Sequence, residues 1–221
     1  MAKPCVGAGS NNMNIDGTRY GEALALLKKG EKLLDVGCGK GLFSKLAMPY
    51  FKSVAGIDVS EQALLGLDAL GIKTYAVDLD KDLMPLENET FNSLVCLDVI
   101  EHVLEPEKFV RECARVLANG GQIIISTPNI RYLKHLLVLG FCGRFPRTSS
   151  DISRYDGGHL HYFTISDIEK ILLLCGFKIV ATNGVIPSPY LAFLRPFKKL
   201  WFIKEFFSAG FIIEAVKSGV R

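Results

Sequence analysis

Six cysteines, at positions 5, 38, 96, 113, 142 and 175, never fall into C-x-x-C spacing, which excludes a zinc knuckle or a dithiol redox pair. Cys96, Cys113 and Cys175 lie inside apolar runs, where a free thiol behaves as a small hydrophobe, as expected of a reducing cytoplasm. The first eighteen residues have no apolar core of the kind a signal peptide needs. They read as a flexible segment, 1–18, ahead of a single domain over 19–221. No run of about 18 uncharged apolar residues is present, so no membrane span is expected. Charge of one sign is scarce too. With 26 Lys and Arg against 23 Asp and Glu, the net charge of +3 argues against a nucleic-acid partner and leaves anionic small substrates open. Internal repeats and low-complexity tracts are likewise absent.

What is there is a 221-residue chain, 49% hydrophobic, enough for one α/β core. Short β-branched runs at Lys32–Val36, Ser53–Asp58, Lys73–Val77, Leu94–Leu97 and Gln122–Thr127 predict strands. Helical patterns separate them at Thr18–Lys29, Gly41–Tyr50, Glu61–Leu70 and Glu105–Ala118, the last halted by Gly120-Gly121. Strands alternating with helices imply a parallel sheet. A further helix from Ser166 to Cys175 leads to two final strands, Phe177–Val185 and Gly210–Lys217, expected as an antiparallel edge pair. Two basic, apolar segments, 131–154 and 187–208, read as lids or as interfacial contacts, with core packing and snorkelling lysines as the alternative.

The chemistry concentrates where the first strand ends. Leu33-Leu34-Asp35 turns through Gly37, Gly39 and Gly41 into a helix, exposing backbone N–H groups with no side chains in the way. A dinucleotide fingerprint needs G-x-G-x-x-G, but here the third glycine falls one residue early and position 42 is Leu. Asp35 adds a carboxylate that suits an ammonium ligand and repels a pyrophosphate. Asp58 ends the second strand, where a carboxylate accepts from ribose hydroxyls, and Asp78 ends the third, within reach of an adenine amino group. Acidic residues at three successive strand ends converge on one crevice.

With these residues in view, the chain resembles class I S-adenosylmethionine-dependent methyltransferases from about Tyr20 to Lys217. Leu33 through Gly41, Gly56-Ile57-Asp58-Val59-Ser60 and Asp78-Leu79 look like the donor motifs. Cys96 through Val103, Leu117-Ala118-Asn119-Gly120-Gly121, Ile124 through Asn129 and Gly158 through Thr164 are similar to the subgroup that contains ubiquinone-biosynthesis O-methyltransferases. The resemblance implies a Rossmann-like α/β fold: a seven-stranded, mostly parallel sheet with an antiparallel final strand and helices on both faces. It implies S-adenosyl-L-methionine as cofactor, with Asp35 and the turn Gly37-Cys38-Gly39 around the methionine moiety. Asp58 falls on ribose, Val59 against adenine, Asp78 and Leu79 at the adenine's polar edge, and Leu97 and Asp98 near the sulfonium. Tyr20 is placed toward the methionine carboxylate.

Methyl transfer from a sulfonium is an in-line displacement of an activated group, so alignment and exclusion of water supply much of the catalysis. A protic acceptor also needs a base. His102 is the first candidate, with Glu101 orienting it or taking the proton itself, against a purely helix-anchoring role for the pair. Asp98, Glu101 and His102, completed by His159 or His161, also have the ligand types for a divalent metal, although unliganded polar contacts are favoured. A related acidic-x-x-Glu-His pattern binds magnesium in ubiquinone-type and small-RNA 2′-hydroxyl methyltransferases, where Glu often stands in place of Asp98. Strand-like alternation puts His159 and His161 on one side, and with Tyr162 they are candidate substrate contacts.

The function expected is methyl transfer to an O or N atom of a small or lipid-linked acceptor. A metal-assisted RNA 2′-O-methyltransferase and a non-catalytic S-adenosylmethionine-binding module stand as alternatives. Peripheral membrane contact and oligomeric state stay open.

Overall fold

The computed structural model describes residues 15–149, 151, 155–186 and 188–219. The expected flexible segment therefore lies outside the described residues as far as residue 14, as do Ser150, residues 152–154 and Pro187 within the two lid-like segments. In chain order the elements are α1 (Arg19–Leu26), β1 (Gly30–Val36), α2 (Leu42–Ala47), β2 (Phe51–Asp58), α3 (Glu61–Leu64), β3 (Ile72–Ala76), β4 (Phe91–Leu97), α4 (Pro106–Val116), β5 (Leu117–Pro128), α5 (Leu133–Cys142), α6 (Ile165–Leu174), β6 (Phe177–Val185), α7 (Trp201–Phe206) and β7 (Gly210–Lys217).

All seven expected strands form and join one sheet in the order β3-β2-β1-β4-β5-β7-β6. Six run parallel, and β7 inserts antiparallel between β5 and β6. The last two strands pair antiparallel at one edge of the sheet, as expected, with β6 outermost and β7 covered on both sides. Its sequence explains this, because Phe211, Ile212 and Ile213 are successive apolar residues and all are fully buried.

Adjacent residues in the central strands point to opposite faces, and both faces are packed. Leu34, Val36, Ile57 and Cys96 join one cluster with α4 and α6, while Leu33, Val54 and Val95 join another on the side of α1 and α2. α4 starts with Pro at its first turn and buries Phe109, Val110, Cys113 and Val116 along one stripe, as the 3.6-residue period predicts. Arg115 and Glu112 on α4 then hold the loop before β4, Arg115 donating to the carbonyls of Met84 and Leu86 at 2.9 and 2.7 Å.

Three boundaries differ from expectation. α4 ends at Val116 rather than at the glycines, and β5 begins at once. Gly120-Gly121 sits in an irregularity of β5, where register with β4 jumps from Phe91–Leu117 to Ser93–Gln122, and Gly120 takes a φ of 74° that a side chain would resist. The helix expected over Glu61–Leu70 breaks at Leu65-Gly66, since Gly66 is left-handed at φ 81°. α6 starts one residue early because Thr164, not Ser166, caps it, with Asp167 returning the bond in a capping box. No helix among the described residues is long and apolar enough to cross a membrane.

Candidate functional site

β2, β1 and β4 are neighbours in the sheet, so their carboxyl ends bring Asp58, Asp35 and Asp98 to adjacent positions along one edge. The turn after β1 leaves the sheet there. Gly37 and Cys38 donate their N–H groups to the Ile57 carbonyl at 2.8 and 2.9 Å, which ties the turn to β2. Gly37, Gly39 and Gly41 all have positive φ, at 72°, 53° and 69°. A Cβ on Gly37 would stand 2.3 Å from Val99 Cγ2, whereas a Cβ on Gly39 would meet nothing within 4 Å. Gly37 is therefore required by close packing, and Gly39 leaves open space against the turn.

Asp35 is buried and accepts from Ser44 Oγ at 2.6 Å. Burial, opposed by the Ser44 hydrogen bonds, pushes its carboxyl up to about 7. Asp58 accepts from Gly39 N–H at 2.8 Å through one oxygen and from Ser60 N–H at 2.9 Å through the other. Cys38 packs under the turn against Gly56, and burial pushes its thiol up to about 12, so it acts as a filler. Val59 stands exposed at the mouth. Asp78 accepts from Lys81 Nζ at 2.6 Å, which holds its carboxyl below the usual range, and Leu79 packs half-buried against the core. Open space over Gly39, with the Asp58 carboxylate bonded to its N–H and the Asp35 carboxyl buried in the strand behind, fits a donor that carries an ammonium, a sulfonium and a ribose.

Leu97 ends β4 buried, and Asp98 then enters the left-handed region at φ 57°. That conformation costs a non-glycine residue on the order of 1 kcal/mol, and three contacts hold it. Asp98 N–H donates to the Ser126 carbonyl at 3.1 Å, Ser126 Oγ donates to Oδ1 at 2.7 Å, and Arg19 pairs with Oδ2 at 3.0 Å. Arg19, Asp98, Ser126, Thr127 and Thr148 line a cavity of about 350 Å³. Arg19 lay beyond the sequence reading, which looked to its neighbour Tyr20. Tyr20 instead stacks on Phe43, and the Arg19 guanidinium lies 4.7 Å over its ring.

Glu101 is buried, and Thr127 Oγ1 donates to its Oε2 at 3.0 Å, while Oε1 has no hydrogen-bond partner among the described residues. Burial first, and the charge of Asp98 second, push this carboxyl up to about 8. His102 Nδ1 lies 3.3 Å from the Gly158 carbonyl, an interaction that assigns the proton to Nδ1 and leaves Nε2 an acceptor. His159 packs edge-on against His102 at 4.7 Å between centroids, and burial, with His102 second, lowers its pKa. Glu101, His102 and His159 each offer a ligand atom, all within 4.8 Å of one another.

Behind His159 stands Asp156, from the polar-aromatic segment Tyr155, Asp156, His159, His161 and Tyr162. Asp156, buried and left-handed at φ 46°, accepts from Thr148 N–H, Thr148 Oγ1 and Ser149 N–H at 2.7, 2.8 and 2.8 Å. Burial opposes ionisation, but these bonds outweigh it and hold the carboxyl low. With its proton given to Asp156, Thr148 Oγ1 accepts from His159 Nδ1 at 2.7 Å.

The expected pairing of His159 with His161 does not form. Leu160 and His161 both donate to the single carbonyl of Glu101, at 2.9 and 3.1 Å, so the segment turns instead of alternating. His161 stacks on Phe163 and lines a separate cavity with Glu107 and Lys170. Tyr162 packs on Phe145 and hydrogen-bonds Asp156, with burial first and that bond second pushing its hydroxyl up to about 12. Of the proposed metal set, Asp98 is occupied by Arg19 and Ser126.

A family described as a methyltransferase domain matches residues 17–182. A ubiquinone biosynthesis O-methyltransferase of Idiomarina loihiensis is 30% identical over 182 residues, 75% of this chain and 69% of the relative. One from Azoarcus sp. is 29% identical over 170 residues, 72% of this chain and 70% of the relative. The solved S-adenosylmethionine-dependent methyltransferase of Mesorhizobium loti has a TM-score of 0.66 at 21% identity, covering 89% of this chain and 96% of its own.

Proposed function

Because the chain belongs to the methyltransferase-domain family and is an S-adenosylmethionine-dependent methyltransferase, we propose that its crevice serves O-methylation of a small or lipid-linked acceptor. The supporting observation is the alignment of Asp58, Asp35 and Asp98 at three adjacent strand ends around the open space over Gly39. Asp35 and the turn Gly37-Cys38-Gly39 hold the donor's methionine moiety, and Asp58 holds its ribose. Val59, Asp78 and Leu79 border the adenine, while Leu97 and Asp98 flank the sulfonium. Arg19, rather than Tyr20, supplies the cation for the donor's carboxylate, since its guanidinium already reaches Asp98 at the crevice mouth. S-adenosylmethionine supplies an electrophilic methyl group, and the residues around it align the acceptor and receive its proton.

His102 Nε2 receives the proton of the acceptor hydroxyl; bound S-adenosylmethionine would give its methyl group to that oxygen and leave as a neutral thioether. The Gly158 carbonyl orients the imidazole through Nδ1, Glu101 lies beside it with Oε1 open, and His159 packs edge-on against it. The acceptor enters through the cavity beside Asp98 and Thr148. The five described cysteines are all free thiols, which supports a cytoplasmic setting.

One observation favours a metal-assisted variant of this reading. Glu101, His102 and His159 converge, and the unpartnered Glu101 Oε1 faces that cluster. These residues fit a divalent cation, which when bound would acidify the acceptor hydroxyl.

Calorimetry tests the donor site: S-adenosylmethionine and S-adenosylhomocysteine should both bind, and Asp58→Ala should weaken both about tenfold or more. Absence of heat for either ligand defeats the reading. A turnover screen over hydroxylated small molecules, lipid intermediates and short RNA, with and without chelator, separates the acceptor classes and the metal variant.

A further inference from the structure

α5 is apolar around most of its surface, yet Leu137, Leu139 and Phe141 are exposed, Phe141 at 85%. A groove of about 530 Å³ runs between α5 and the connection from β6 to β7, with Leu137 and Phe141 on one bank and Leu191 and Phe207 on the other. Beyond it Tyr190 is 89% exposed, Phe193 69% and Trp201 60%. Apolar exposure concentrated in two neighbouring segments marks an interaction surface.

The two segments are held together. Asn129, at the end of β5, donates its side-chain amide to the carbonyls of Lys204, Glu205 and Ser208 at 3.3, 2.8 and 3.1 Å. Arg131 pairs with Glu205 at 3.0 Å and lies 4.8 Å over the Phe206 ring.

Charge identifies the occupant. Residues 131–149 and 188–209 contain eight Lys and Arg and one acid, Glu205, so they carry +7 of a chain whose net charge is +3, leaving −4 for the remainder. Lys134, which lines the groove, and Arg144, Arg147 and Lys199 of the same two segments are exposed and form no ion pair among the described residues. A second copy meeting this face symmetrically would set +7 against +7. Exposed aromatic rings among unpaired cations match an anionic lipid surface, where the rings enter the headgroup boundary and the cations meet phosphates.

We propose that α5 and the β6–β7 connection form a docking face for an anionic bilayer. Thr148 and Ala209, from the same two segments, line the cavity beside Asp98, so docking sets the acceptor entrance at the lipid boundary. Delivery of a lipid-linked acceptor there rests on the proposed methyl transfer; the docking face stands on its own observations.

Trp201 is the one tryptophan of the chain and reports directly on this face. The full chain is mixed with vesicles of phosphatidylcholine alone, or with about one third phosphatidylglycerol. The anionic vesicles should shift Trp201 emission to the blue, allow quenching by brominated acyl chains, and lose both effects at high salt. The double variant Lys134→Glu/Lys199→Glu should bind these vesicles at least about tenfold more weakly while keeping its affinity for S-adenosylmethionine. Unchanged emission with anionic vesicles, or vesicle binding indifferent to the double variant, overturns the proposal. So does lipid-free self-association that buries Trp201, as read by sedimentation. Normal donor binding without vesicle binding removes only the docking face, and vesicle binding without donor binding removes only the methyltransferase reading.

Discussion

Nε2 of His159 and Oε1 of Glu101 face each other at 4.0 Å, and no described residue hydrogen-bonds that oxygen. The gap is too long for a direct hydrogen bond, so the site keeps a buried carboxyl oxygen open to whatever enters. Glu101→Gln should lower kcat by about a hundredfold while leaving S-adenosylmethionine affinity within about twofold. It should not lower the melting temperature, because burial already disfavours the charged form. Unimpaired turnover measured by S-adenosylhomocysteine release would remove Glu101 from the chemistry.

Thr148 sets which nitrogen of His159 carries the proton, because its own proton is committed to Asp156. Thr148→Val keeps the shape and deletes the acceptor. Nitrogen NMR of labelled histidine should show the Nδ1–H form in the parent and a mixture in the variant, with kcat down about tenfold. An unchanged tautomer would mean that Thr148 is only packing.

Asp35 carries a pH signature. In the free protein its carboxyl sits at about 7, raised by burial, so it is half protonated at neutral pH. An ammonium ligand needs the ionised form, so donor affinity should fall by up to about tenfold per pH unit below 7 and level off above it. Stability of the free protein runs the opposite way. A raised carboxyl favours folding most below its unfolded value of 3.8, and that contribution is lost as pH rises through about 7. Asp35→Asn should flatten both profiles. Titration calorimetry and melting curves from pH 5.5 to 8 check the two signs, and a donor affinity flat with pH would disconnect Asp35 from the ammonium.

Gly37→Ala combines a left-handed φ with a Cβ placed 2.3 Å from Val99 Cγ2. The expected cost is about 1–3 kcal/mol in urea unfolding, with weaker donor binding because the turn must shift. Gly39 has room for a Cβ but shares the left-handed φ, so Gly39→Ala should cost about 1 kcal/mol in backbone strain without the clash, and lose donor affinity by filling the open space. Equal stability loss at both positions would contradict this division.

Strand number, the alternation with helices and the donor turn were legible in the chain because each rests on local pattern: β-branched runs, a 3.6-residue stripe on α4, and glycines where φ must be positive. Asp35, Asp58 and Asp78 could be placed at strand ends for the same reason. Helix ends were read less well, since Leu117 pairs into β5 and overrides the glycine signal that follows it.

The sequence by itself determined a parallel α/β sheet with a glycine turn and acidic residues at its carboxyl edge, since those follow from short-range spacing. Only the tertiary structure decided that β7 lies inside the sheet, that Arg19 meets Asp98, and that His159 without His161 joins Glu101 and His102. Each of these depends on contacts between residues far apart in sequence. Buried polar groups take the nearest partner the fold provides, and local spacing carries no record of that partner.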